Sequence, residues 1–157
     1  MNAKSRYLVG LGSALLLSAG AAPGAQAAKV RICQGQEQAY EQIKAGATTL
    51  QVNAALFSAA DKGCVELARQ LLADGASLKA RDRFGASALS RAATSGKAEL
   101  VDLFLQNGAA IDARNIDGST ALFLAAEAGN WKAVDLLIAR GADVNLLGRT
   151  GLTPLDA

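Results

Sequence analysis

The chain repeats itself every thirty-three residues. Residues 117–130 read DGSTALFLAAEAGN and residues 84–97 read FGASALSRAATSGK, and their Gly, Ala-Leu, Ala-Ala and Gly coincide after that shift. One unit of such a repeat cannot bury its own apolar face, so units must stack to form a core. The period therefore predicts a solenoid. The recurring positions are Gly63, Gly96 and Gly129; Gly75, Gly108 and Gly141; Gly85, Gly118 and Gly151; and Leu56, Leu89, Leu122 and Leu155.

Each unit is predicted to fold as helix, turn, helix and loop. Ser87 or Thr120 stands where its hydroxyl can cap about two helical turns. Those turns end at Gly96 or Gly129, which can adopt the left-handed conformation that stops a helix. A second helix follows, because apolar residues recur there at helical spacing. Only seven residues are aromatic, so we expect a core of Ala, Leu and Val between closely spaced helices.

The first residues form a separate segment. Lys4 and Arg6 precede an apolar run over residues 7–22, and Ala25-Gln26-Ala27 supplies a small-x-small cleavage site. The run is short and glycine-rich for a membrane span. Residues 1–27 are therefore predicted to be a cleaved signal peptide, and the mature protein is expected in the periplasm or outside the cell. The alternative is an uncleaved anchor.

Signal cleavage changes the charge of the chain. Sixteen Lys and Arg face fourteen Asp and Glu, and residues 1–27 hold two basic residues and no acidic one, so fourteen of each sign remain. A neutral mature chain gives no reason to expect nucleic acid or an anionic membrane as partner.

Both cysteines, Cys33 and Cys64, lie in the mature part. An even count in an oxidising compartment favours one disulfide, which would tie the N-terminal segment to the body of the protein. Two free thiols are the alternative.

Residues for catalysis or metal binding are scarce. Histidine is absent, which removes the usual general base and the commonest metal ligand. Two thiols do not fill a tetrahedral metal site. Asp112 and Asp117 flank a predicted hairpin, where Asp commonly forms turns. We therefore expect no catalytic residue, metal or cofactor.

The repeating unit resembles the ankyrin repeat. It reads D-x-x-G-x-[ST]-x-L-x-x-A-A-x-x-G, followed by an apolar helix and G-A-x-[VIL]. The resemblance implies an all-α solenoid of helix-turn-helix units with short hairpin loops. The matching segments are two full repeats at 82–114 and 115–147, a first repeat at 49–81 with Val52 at the turn-glycine position, and a partial repeat at 148–157 that carries Thr153-Pro154-Leu155.

The chain departs from the family's pattern in three places. Residues 28–48 resemble a second helix alone that ends at Gly46, and we expect them to cap the stack. The partial fourth repeat is expected to be completed by further chain or by a partner. The position after the motif leucine, usually His, holds Phe57, Ser90, Phe123 and Asp156, so the family's side-chain hydrogen bond there is lost or replaced.

The resemblance implies a function in binding another protein, since the family seldom catalyses. We expect a monomer that acts as an accessory or immunity protein on a periplasmic enzyme or toxin. The alternative is the non-catalytic part of a larger exported enzyme. The predicted binding residues lie near the hairpin tips, which in this family line one face of the stack: Arg81, Arg83, Phe84, Arg114, Ile116 and Arg149.

Other interpretations of these residues stay open. The arginines are also explained as solvated loop charge, and Phe84 and Ile116 by packing against an adjacent hairpin. Trp131, at the start of a second helix, is predicted to pack between repeats. The predicted partner surface is acidic or mixed, with an apolar spot.

Overall fold

A computed structural model describes residues 23–149 and 151–156. Within that part the chain forms α-helices and one 3-10 helix, and no strand, so the predicted all-α fold is confirmed. No described helix is long and apolar enough to cross a membrane. The elements are α1 (Pro23–Ile43), the 3-10 helix (Lys44–Gly46), α2 (Thr49–Lys62), α3 (Val65–Ala73), α4 (Ala88–Thr94), α5 (Ala98–Gln106), α6 (Ala121–Glu127) and α7 (Trp131–Ala139).

The helices form three stacked pairs, α2 with α3, α4 with α5, and α6 with α7. The first helices of the pairs, α2, α4 and α6, pack side by side, and so do the second helices, α3, α5 and α7. The double alanines of the first helices are at most 4% exposed, because they lie where neighbouring helices meet. The expected core of small aliphatic residues is therefore confirmed.

The residues predicted to begin and end the helices do so in the structure. Gly96 and Gly129 have φ values of 66° and 70°, in the left-handed region that favours glycine. Ser87 caps α4 in a reciprocal pair with Ser90, each side chain bonding the other residue's backbone N–H. The Thr120 hydroxyl accepts a hydrogen bond from the Phe123 N–H at the start of α6.

The first unit differs from the other two. Its first helix, α2, has 14 residues, whereas α4 and α6 have seven each. At the position where later units have a glycine of positive φ, α2 has Val52, which is 6% exposed within the helix. A β-branched residue disfavours a left-handed turn, so the helix continues and no hairpin precedes this unit. Thr48 and Gln51 form the capping box of α2.

Helix α1 packs against α2 and α3 at the N-terminal side of the stack. Tyr40 is 3% exposed, and its hydroxyl donates to Asp74 Oδ2 at 3.0 Å. Burial, with this hydrogen bond to Asp74, raises the pKa of Tyr40. The Lys44 ammonium lies 3.0 Å from the same oxygen and holds the pKa of Asp74 below its ordinary value. The C-terminal half of α1 is thus anchored to the end of α3.

The predicted disulfide is present between Cys33 of α1 and Cys64, with the two Cα atoms 5.2 Å apart. Cys64 immediately precedes α3. Residues 1–22 of the predicted signal peptide lie outside the described residues, and Pro23 to Ala27 form the first turn of α1. The signal peptide and the 28–48 capping segment stay predictions.

Phe123 occupies the position where the family usually has His, and its ring is 1% exposed. It lies beneath the third hairpin, where a Cβ on Gly148 would come within 2.5 Å of the ring. The equivalent positions in the first two hairpins are Asp82 and Asn115, which have side chains. Phe57, at the equivalent position of the first unit, precedes Asp82 and is only half-buried. The need for a glycine at position 148 therefore comes from the fully buried placement of the Phe123 ring.

We expect Gly148→Ala to destabilise the protein by about 1–3 kcal/mol, the usual cost of overpacking. Gly148 has no positive φ, so the cost comes from the Phe123 ring rather than from the backbone. In a Phe123→Ser background, where Ser matches Ser90 one repeat earlier, the same change should cost close to nothing. Urea unfolding of the four proteins of this cycle measures the coupling.

Gly46→Ala is the matched control, because a Cβ at Gly46 would meet nothing within 4 Å. It should change the free energy of unfolding by less than about 0.5 kcal/mol, as for an ordinary surface substitution. An equal cost of Gly148→Ala in both backgrounds would contradict the proposed contact.

Candidate protein-binding site

Three hairpins project from the stack, and they share one backbone design. The first is closed by a hydrogen bond from the Asp82 N–H to the Ala86 carbonyl at 3.0 Å, the second by Asn115 to Ser119 at 3.0 Å. The third is closed by Gly148 N–H to Leu152 at 2.8 Å. Each contains a glycine of positive φ: Gly85, Gly118 and Gly151.

Side chains reinforce the first two hairpins. Asp82 Oδ1 accepts hydrogen bonds from the N–H groups of Phe84 and Ala86 at 2.8 and 2.9 Å. Asn115 Oδ1 accepts from Asp117 and Ser119 at 3.0 and 2.8 Å. Asp and Asn characteristically make such turns. The tips are therefore held in defined positions.

The first and second hairpins touch each other. The Ile116 N–H donates to the Phe84 carbonyl at 3.2 Å, and a Cβ on Gly85 would come within 2.9 Å of Ile116. Arg83, Ile116 and Arg149 occupy equivalent positions one period apart. The hairpins thus bring the predicted residues of neighbouring repeats side by side.

Three of the predicted residues form a cluster with free surface, which we call the tip cluster: Arg83, Phe84 and Ile116. The Phe84 side chain is 51% exposed and Ile116 is 70% exposed. The guanidinium carbon of Arg83 lies 4.8 Å from the centroid of the Phe84 ring, a cation–π distance. This contact orients the ring without covering it.

The other three arginines make structural contacts. Arg81 donates to the carbonyls of Lys79 and Ala80 at 3.1 Å each. Arg114 donates to the carbonyls of Gly118 and Leu147 at 3.3 Å each, which links the second hairpin to the third. Arg149 pairs with Glu127 at the end of α6. Their contribution to binding stays a prediction, and their contacts show that they also brace the hairpins.

An ion-pair network that the sequence analysis missed lies below the tips. Arg91 of α4 donates to Asp61 at 2.5 Å and, through two nitrogens, to Asp82 Oδ2 at 2.8 and 3.0 Å. Its guanidinium also lies 5.6 Å from the Phe57 ring. The sequence did contain one signal of this network. Arg91 is charged, whereas the equivalent position in the next repeat holds the apolar Leu124.

This network favours the charged forms of Asp82 and Arg91. Burial alone would raise the pKa of Asp82, but hydrogen bonds from Arg91 and from two backbone N–H groups lower it below its ordinary value. Burial likewise opposes the charge of Arg91, yet Asp82 and Asp61 raise its pKa. Asp82 and Arg91 therefore both stay charged at neutral pH.

The space between the hairpins and the first helices is a groove of about 270 Å³, which we call the hairpin groove. Phe84 of the tip cluster and the Arg91, Asp61 and Asp82 side chains of the ion-pair network all line it. The lining residues are Asp61, Asp82, Phe84, Ala86, Ser90, Arg91, Thr94, Ser95, Asn115 and Leu124.

The prediction for Trp131 was wrong. Its side chain is 63% exposed at the start of α7 rather than packed between repeats. Ala98 and Val65, one and two periods earlier, are half-buried beside a following helix. No helix follows α7 within the described residues, so nothing there covers the indole.

Comparison with known proteins agrees with this geometry. A family model described as ankyrin repeats (3 copies) matches residues 56–148. No curated protein matches the chain. The matched segment runs from the middle of α2 to the third hairpin. Such repeats are protein–protein interaction modules that are generally non-catalytic. The chain therefore belongs to the ankyrin-repeat family.

Proposed function

We propose that this chain is an exported module that binds a partner protein in the hairpin groove. The observation that carries the proposal is the tip cluster, in which Phe84 and Ile116 expose apolar surface side by side on hairpins that brace each other. Exposed aromatic and arginine side chains on a rigid support are the usual anchors of a protein interface. The fixed hairpins also keep the entropy cost of binding low.

The charges beside the groove indicate the chemistry of the partner. Asp61 and Asp82 pair with Arg91, and Glu127 pairs with Arg149, so these carboxylates are already neutralised. Arg83, by contrast, makes no ion pair within the described chain, and its guanidinium lies over the Phe84 ring. A partner segment that carries an acidic residue beside an apolar one would pair its carboxylate with Arg83 and cover the Phe84 ring.

The biological role we favour is that of an accessory or immunity protein on a periplasmic enzyme or toxin. The predicted signal peptide supports export, and the absence of histidine argues against acid–base chemistry in this chain. The second candidate is the binding part of a larger exported enzyme. Affinity capture from a periplasmic extract separates the two, because the first requires a separate partner protein.

We expect the double change Arg83→Ala and Phe84→Ala to weaken partner binding at least tenfold, about 1.4 kcal/mol. Arg83 is exposed and about half of the Phe84 surface is open to solvent, so helicity and thermal unfolding should change little. The partner captured by the unaltered chain serves as the titrant. Arg114 is left intact, because it donates to two hairpin carbonyls. Its removal would change the stability of the hairpins as well as any contact with the partner.

Trp131→Ala is the matched control. It removes an aromatic side chain that is equally exposed but lies on α7, away from the hairpin groove. Lys132→Ala removes a charge beside it. If these controls abolished binding while the tip variant retained it, the interface would lie around the start of α7 instead.

Export gives a separate prediction. Cleavage after Ala27 should yield a periplasmic protein that begins at Ala28, as read by intact mass and N-terminal sequencing. The change Ala27→Arg should block cleavage, since the enzyme requires a small residue there. Recovery of the uncleaved chain in the membrane fraction of the unaltered protein would support the anchor alternative.

A further inference from the structure

The two halves of α1 are held to the repeats in different ways. In the C-terminal half, Tyr40 is buried, and the Gln36 amide donates to the Ser58 hydroxyl at 2.8 Å. In residues 24–35 every residue except Cys33 is exposed. No side-chain hydrogen bond or ion pair joins that half to the repeats within the described chain. The disulfide to Cys64 is thus its main attachment.

A weak point separates the two halves. Gly35 lies inside α1, two residues after Cys33, where glycine lowers helix stability relative to alanine. A Cβ at this position would meet nothing within 4 Å, so no neighbouring group requires glycine there. Without the disulfide, the preceding residues would be a short exposed helix, which is marginal in water. Gly35 is therefore where α1 would open.

The sulfur atoms differ in accessibility. Cys33 is half-exposed and lines an open groove of about 450 Å³ beside Val30 and Val65. Cys64 is 2% exposed. A thiolate that opens a disulfide must reach one sulfur directly, and Cys33 is the one within reach. Cys64 stands at the N-terminus of α3, where the free N–H groups of a helix stabilise a departing thiolate.

We propose that the Cys33–Cys64 bond is a thiol–disulfide exchange site, opened at Cys33 by a dithiol reductant, and that residues 28–34 of the mature chain then form a released strap hinged at Gly35. The attacking thiolate bonds to Cys33 Sγ, and the S–S electron pair leaves on Cys64 Sγ, which takes a proton from water. The second thiol of the reductant then displaces Cys33. The reductant ends as a disulfide and the two cysteines as thiols.

Release uncovers the turns between the helices of the first two units. The strap's Lys29 stem lies against Gly63, where a Cβ would come within 3.4 Å of it, and it shares a groove with Gly96 and Lys97. This region is separate from the hairpin groove, whose lining includes no residue of α1. The inference therefore does not depend on the proposed protein-binding site.

Hydrogen exchange read by mass spectrometry on the mature chain tests the strap. Reduction with dithiothreitol should speed exchange in residues 28–34 by about tenfold or more, as for a local opening, while residues 36–43 and the repeats keep their protection. The Cys33→Ser/Cys64→Ser protein should show the same pattern without reductant. Unchanged exchange in residues 28–34 would overturn the proposal, and so would loss of protection throughout α1 and α2.

Gly35→Ala supplies a second variant that leaves the cysteines in place. In the reduced protein it should slow exchange of residues 28–34 by about fivefold, the effect expected for Gly-to-Ala in a helix. If it has no effect, Gly35 is not the hinge.

The site of attack is tested with a monothiol. Glutathione added to the oxidised protein, followed by acid quenching and peptide mass analysis, should place the mixed disulfide on Cys33. A mixed disulfide on Cys64 would overturn the assignment of the attacked sulfur.

Discussion

Contact between neighbouring helix pairs is the interaction on which the rest of this structure depends. A pair such as α4 with α5 exposes alanine and leucine on two sides, and it becomes stable only when α2 and α6 cover them. The double alanines permit that close approach, since larger residues there would separate the helices. The same need for a covering neighbour explains α1, which places Tyr40 against the outer side of the first pair.

The periodic features of this fold could be predicted from the sequence because each depends on local chemistry. Gly96 ends a helix through its own backbone freedom, and Ser87 caps one through its own hydroxyl. Features that depend on the neighbouring element could not be predicted in the same way. Trp131 has a good core position by helical spacing, yet its burial depends on a following helix. Val52 likewise shows its effect only in the length of α2.

The positions of the candidate site residues could be predicted, but their contacts could not. The thirty-three-residue period, together with the resemblance to the ankyrin repeat, places six residues near the hairpin tips. It did not show which of them have free surface, because an arginine side chain reaches several carbonyls or carboxylates from one backbone position. Arg114 turns to the carbonyls of its own and the next hairpin, while Arg83 lies over Phe84. The Arg91 network joins three residues from separate segments, and Arg91 itself does not recur in the next repeat, so only the folded chain brings the three together.

The contact between Phe123 and Gly148 has a consequence for how such a chain can evolve. Repeat proteins are often regarded as strings of interchangeable modules, which grow by duplication and tolerate reordering. Here the buried ring of Phe123 fits only because the following unit begins with glycine. A copy of residues 115–147 inserted before residues 82–114 would set that ring against Asp82, where Phe57 now stands half-buried with Arg91 over its ring. The backbone of this protein is modular, but the depth to which a side chain is buried depends on the unit that follows it.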